Sequence, residues 1–169
     1  MAVCLTAAAC GQHKVLDLLC RRYRFIPLQD DWSSIATFYN AAKTGNVSTV
    51  RKLLDDGLHP DTKDIQSRTP LWVAACYGQN AIVELLVQRS DVDVNSLDVA
   101  SQPPILFPSA AGNEGVVAVL MEAGADPTIA DENGETAISI AKKRGHEGVV
   151  RILERGGPGR AEGRDVSES

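Results

Sequence analysis

Aromatic side chains are scarce in this sequence: two Trp, three Tyr and three Phe among 169 residues. The hydrophobic fraction is still 44%, ordinary for a folded soluble chain, so any core is aliphatic and alanine-rich. The four cysteines, Cys4, Cys10, Cys20 and Cys76, include no C-x-x-C pair, and the three histidines do not cluster. Zinc needs four convergent nitrogen or sulfur donors, which this spacing does not supply, leaving free thiols and no metal. Apolar runs fall far below the roughly 20 residues of a membrane span. The opening MAVCLTAAAC lacks a basic start, and Thr6 interrupts its apolar run, so it does not read as a secretion signal. These shortages point to a cytoplasmic protein, with the nucleus as the alternative, and to no membrane partner.

Groups that carry chemistry are also short. His13, His59 and His146 stand far apart, and Gly156-Gly157-Pro158-Gly159 has neither the lysine nor the following helix of a phosphate cradle. The acidic pairs Asp30-Asp31 and Asp55-Asp56 fall at turn signals, where carboxylates are solvated. No nucleophile, base and orienting group can be assembled from these, so the expectation is no enzyme and no cofactor.

Charge is uneven. Residues 64–141 carry two basic side chains, Arg68 and Arg89, against eleven acids, a formal −9. Nucleic acid is disfavoured as a partner, because phosphate backbones need Lys/Arg to replace their counterions. Solubility is the plain reading of the acidic middle; a basic partner surface facing it is the sharper one.

What the sequence has is repetition. Asp31, Asp64, Asp98 and Asp131 are separated by 33, 34 and 33 residues, and Gly45, Gly78, Gly112 and Gly145 by the same intervals. Such a period is the mark of stacked units. Small residues precede the glycines, as in Ala41-Ala42-Lys43-Thr44-Gly45 and Ala74-Ala75-Cys76-Tyr77-Gly78. Glycine there suits the left-handed residue that ends a helix. Val50-Leu53-Leu54, Val83-Leu86-Val87, Val117-Leu120-Met121 and Val149-Val150-Leu153 follow, each the apolar stripe of a second helix. Thr69-Pro70 opens a first helix, the hydroxyl as cap and proline where no amide is needed.

These residues resemble the ankyrin repeat. Thr69-Pro70-Leu71-Trp72-Val73-Ala74-Ala75 is similar to that family's TPLHxAA segment. Gly124-Ala125-Asp126-Pro127 looks like the turn after its second helix, and Asp131-Glu132-Asn133-Gly134-Glu135-Thr136 like its hairpin. The resemblance covers about residues 4–155. It implies an all-α solenoid of stacked helix-turn-helix units joined by β-turn or hairpin connections, with a partial repeat at 1–30, repeats at 31–63, 64–97, 98–130 and 131–155, and a disordered polar tail at 156–169. Two departures stand out. The family's first-helix histidine is replaced by Tyr39, Trp72, Leu106 and Ser139, and Pro108 stands where a small helical residue belongs. Proline inside a helix costs roughly 3 kcal/mol, which predicts a late-starting or kinked first helix; an unbroken one through Phe107–Ala110 would contradict it.

The resemblance also implies a non-catalytic, monomeric module that binds another protein on a concave surface of hairpin tips and first helices. Carried over position by position, that surface comprises Ile65, Gln66, Arg68, Cys76 and Tyr77, with Val99, Ala100 and Gln102 beside them. Glu132, Asn133, Glu135, Lys143 and Arg144 lie to one side, and Trp32, Lys43 and Thr44 to the other. Arg68, Trp72 and Tyr77 are expected at its centre, since Trp and Tyr are over-represented at interface hot spots; packing between first helices is the competing role of Trp72. The alternative function is a terminal regulatory array of a larger signalling or sensor protein.

Overall fold

The computed structural model describes residues 32–156. The expected partial repeat at 1–30 and, apart from Gly156, the expected tail lie outside them. The chain divides into two units, Met1–Thr37 and Phe38–Ser169. Of the first, the described part is the start of helix α1 (Trp32–Thr44), where the Thr37 hydroxyl donates to the Ser33 carbonyl at 2.7 Å.

In the second unit α1 continues and is followed by α2 (Val47–Asp55), α3 (Pro70–Cys76), α4 (Asn80–Val87), α5 (Leu106–Ala111), α6 (Glu114–Glu122), α7 (Ala137–Arg144) and α8 (Glu147–Gly156). No strand occurs among the described residues, so the architecture is the all-α solenoid that the resemblance implied. None of these helices is long and apolar enough to cross a membrane.

Each helix pair is punctuated as the sequence predicts. Gly45, Gly78, Gly112 and Gly145 all have positive φ, the region where an L side chain is strained. At Gly112 there is a second reason for glycine: a Cβ would meet Nδ1 of His146, from the next repeat, at 2.6 Å. That imidazole is structural, with Nε2 3.1 Å from the Ala110 carbonyl. Gln79, at the equivalent place, donates to the Lys43 carbonyl at 2.9 Å. The second helices bury Val50 and Leu54, then Ile82, Val83 and Leu86, then Val116, Val117 and Leu120, then Val149 and Leu153. Leu53, Val87, Met121 and Val150, expected in the stripe, are only half-buried at its edge.

The first helices start differently. Thr69 accepts from the Trp72 amide at 3.2 Å and Pro70 occupies the first turn, as expected. Thr136 and Ser139 cap α7 reciprocally. In the repeat between them the helix begins at Leu106, with no side-chain cap. Counted from Asp98 that is two positions later than the starts of α3 and α7 counted from Asp64 and Asp131. The late start is therefore present. No kink accompanies it: α5 runs unbroken through Phe107–Ala110, which contradicts the expected disturbance at Pro108, and that expectation is corrected. Pro108 becomes the third residue of the helix, where an amide has no intrahelical partner, and its ring no longer follows a full helical turn.

Candidate interaction surface

The connections between helix pairs form fingers, each organised by its aspartate. Asp64 Oδ1 accepts from the amides of Gln66 (2.9 Å) and Arg68 (3.0 Å). Asp98 does the same for Ala100 and Gln102, and Asp131 for Asn133 and Glu135, all at 2.9 Å. These bonds hold the carboxyl of Asp131 below its ordinary range, the Glu135 amide contributing most. Neighbouring fingers are tied to each other: the Val99 amide donates to the Gln66 carbonyl at 3.0 Å and the Glu132 amide to the Ala100 carbonyl at 3.3 Å. Position three after each aspartate has positive φ. Gly134 fills it in one finger, but Ser67 and Ser101 fill it in the other two, both at φ 58°.

Two of the four residues replacing the histidine tie repeat to repeat. The Tyr39 hydroxyl lies 2.5 Å from the carbonyls of both Thr62 and Arg68. Burial, with the Asp64 charge adding to it, pushes its phenol well above the ordinary tyrosine range. One repeat on, Trp72 Nε1 donates to the Gln102 carbonyl at 3.1 Å. Arg68 and Gln102 are the fourth residues after their aspartates, so two different aromatics reach the same carbonyl of the next finger. Leu106 has no donor with which to do so.

Trp72 is therefore not the exposed centre of the surface. It is 6% exposed, with Phe107 edge-on at 5.0 Å between centroids and the Arg68 guanidinium 5.4 Å from its ring. It packs there between neighbouring repeats. Arg68 lies over it, held by Asp64 at 2.6 Å, and its charge reaches the Cys76 thiol, whose pKa burial pushes up and Arg68 partly restores. Finger base and first-helix end thus share one face.

Four large hydrophobic side chains are exposed among the described residues: Ile65 (63%), Val99 (61%), Tyr77 (52%) and Leu97. All belong to the fingers or the first-helix end of the two middle repeats, and none to a second helix. Of the other expected residues, Gln66 is exposed at a finger tip, whereas the Gln102 side chain turns to Asp131. Asn133 folds back on Asp131. Glu135 pairs with Lys143 at 3.0 Å and accepts from Ser139 at 2.7 Å, the Ser139 hydroxyl doing most to lower its pKa. Glu132, Lys143 and Arg144 are exposed. Leu97 and Phe107 escaped the sequence reading. For Leu97 the signal was present: an apolar residue directly before the finger aspartate, where Lys63 and Ala130 stand in the neighbouring repeats.

The acids of the middle region lie mostly elsewhere. The three finger aspartates are engaged by their own amides. Glu84, Glu114 and Glu122 sit on second helices, and Asp91, Asp93 and Asp126 in the turns that follow them. Asp61 accepts from the Asp93 amide at 2.7 Å and burial raises its pKa.

Comparison with known proteins agrees with this geometry. The family model for ankyrin repeats matches residues 4–98, in three copies. A putative ankyrin repeat-containing protein of Treponema pallidum is 28% identical over 116 residues, 69% of this chain and 39% of that protein. A rat ankyrin repeat and SAM domain-containing protein 6 is 32% identical over 68% of this chain and 13% of its own length. A Caenorhabditis elegans homologue of transient receptor potential cation channel subfamily A member 1 is 30% identical over 77% of this chain and 10% of its own length. The chain thus spans well under half the length of these curated relatives.

Proposed function

We propose that this chain, which belongs to the ankyrin repeat family, holds a partner protein against its fingers and first-helix ends without any turnover. Ankyrin repeats are in general protein-interaction modules. The observation that carries the reading here is the placement of Ile65, Val99, Tyr77 and Leu97: every large exposed hydrophobic among the described residues lies in the fingers or at the first-helix end of two adjacent repeats, and none on a second helix. Large apolar side chains exposed in one region mark interaction sites. The scaffold beneath is fixed by the aspartate-centred fingers, their amide-to-carbonyl links and the Trp72–Gln102 bond, so little ordering accompanies binding.

Affinity capture from lysate of the source cell tests this, with wild type beside Ile65→Asp/Val99→Asp and the second-helix variant Glu84→Lys. Loss of a retained protein with the finger variant alone supports the face. Loss with Glu84→Lys alone moves the surface to the second helices and their acids, where a basic partner would dock.

A second reading has the array regulate other parts of a larger protein. It draws on the small share of each relative that this chain covers. An antibody against residues 64–97 that detects a protein far heavier than 18.1 kDa in the source cell favours it; a band at that mass argues against it.

A further inference from the structure

The floor of the face below the fingers is made by the ends of the first helices. In repeat order its last two positions before the glycine read Lys43-Thr44, Cys76-Tyr77, Ala110-Ala111 and Lys143-Arg144. Lys43 is exposed and its ammonium lies 4.9 Å from the centre of the Tyr77 ring. No carboxylate among the described residues pairs with it. Arg144 is also exposed, and it donates to a neutral acceptor, the Ala110 carbonyl, at 3.2 Å. Of the other cations of this face, Arg68 is answered by Asp64 and Lys143 by Glu135. Lys43 and Arg144 therefore stand toward the two ends of a face whose middle carries Tyr77, Ala111, Ile65 and Val99; Lys63, exposed beside Asp64 and with no ion pair among the described residues, lies on the Lys43 side.

We propose that the segment bound on this face is acidic toward its ends and apolar in its middle, its carboxylates meeting Lys43 on one side and Arg144 on the other. This rests on the binding face proposed above and names the chemistry of its occupant. It also reverses what net charge suggests: an acidic chain recruits an acidic segment, because most of its own acids are bonded to finger amides, paired as Glu135 is with Lys143, or carried on second helices and turns, Glu132 being the exception. Charges that rim an apolar patch set specificity and encounter rate by complementarity. Glu132, exposed at the finger tip of the Arg144 repeat, opposes a carboxylate there, so Glu132→Gln tightens the complex.

The test pans a displayed library of random 14-residue peptides against the full chain and measures synthetic winners by fluorescence anisotropy. Expected are winners with two or more apolar residues between Asp or Glu. Their affinity should fall about tenfold in Lys43→Gln/Arg144→Gln, as for the loss of close charge pairs at an interface, and further in the Glu versions. It should be lost in Ile65→Asp/Val99→Asp. Winners flanked by Lys or Arg that still need Ile65 and Val99 overturn the charge inference and leave the face standing. Winners indifferent to both sets of variants, or no winners, overturn the inference and the face together. All substituted side chains are exposed, and circular dichroism checks that each variant is folded.

Discussion

Repeats 64–97 and 98–130 share a finger, a left-handed glycine and a buried second helix, yet their first helices begin differently. One starts on Thr69-Pro70, with a capping hydroxyl and proline in its first turn. The other has Pro103-Pro104 in the same place, no side-chain cap, and a helix of six residues beginning at Leu106. The contrast continues outward. Trp72 bonds to the next finger, whereas Leu106 cannot. What this teaches is that the repeat is defined by its buried stripe and its glycine, while the start of the first helix is open to substitution. Stacking supplies most of the stability of such units, so a weak start is tolerated between well-packed neighbours.

The largest expected effect comes from removing the feature that sets the first repeat apart. Trp72→Ala should cost about 3–5 kcal/mol, the usual range for a buried aromatic, read from urea unfolding. Trp72→Leu, which copies the next repeat, should cost distinctly less. Equal losses would mean that the indole bond and its contacts add nothing to bulk. Next comes the cap. Thr69→Ala should cost about 1–2 kcal/mol, because the buried hydroxyl bonds to the Trp72 amide; Pro103→Ala has no cap bond to lose and should cost less.

A smaller effect has the opposite sign. Ser67 and Ser101 occupy left-handed backbone in two of the three fingers, where the third has Gly134. Ser67→Gly and Ser101→Gly should each stabilise by about 0.5–1 kcal/mol, the left-handed penalty less the extra freedom glycine has when unfolded. Destabilisation by either would show that the serine side chain is needed in the finger.

The smallest effect near neutral pH appears only in alkali. Tyr39 and Trp72 make equivalent bonds to successive fingers, but only Tyr39 can ionise. Its folded pKa is raised, by burial first, so the folded state holds this proton more tightly than the unfolded one. The associated stability is complete below the unfolded value of about 10 and declines as pH rises above it. Unfolding free energy should fall with pH in that window, and Tyr39→Phe should flatten the decline. A slope unchanged in Tyr39→Phe would place its origin in another tyrosine or in lysine.

Much of this fold was legible because its signals are local. Gly45, Gly78, Gly112 and Gly145 declare the ends of first helices wherever they occur, and Thr69-Pro70 declares a start. The displacement at Pro108 was legible only by half. Sequence shows that the ring disturbs a helix, but whether the chain kinks or starts later depends on whether the residues before it can be buried outside a helix, as Pro103 and Pro104 are. The surface was less legible still. Trp72 reads as an anchor by residue type, and only the position of the Gln102 carbonyl and the Phe107 ring shows it turned inward. Summing charge along residues 64–141 mixed the faces, because a unit of this period passes from finger to first helix to second helix within a few residues.

The most direct test of the central claim is photocrosslinking in the source cell, with a benzophenone amino acid placed at Val99 in one version and at Glu84 in another. The account predicts a crosslinked partner from position 99 and none from position 84. Adducts from position 84 alone would contradict it, placing the partner on the second helices.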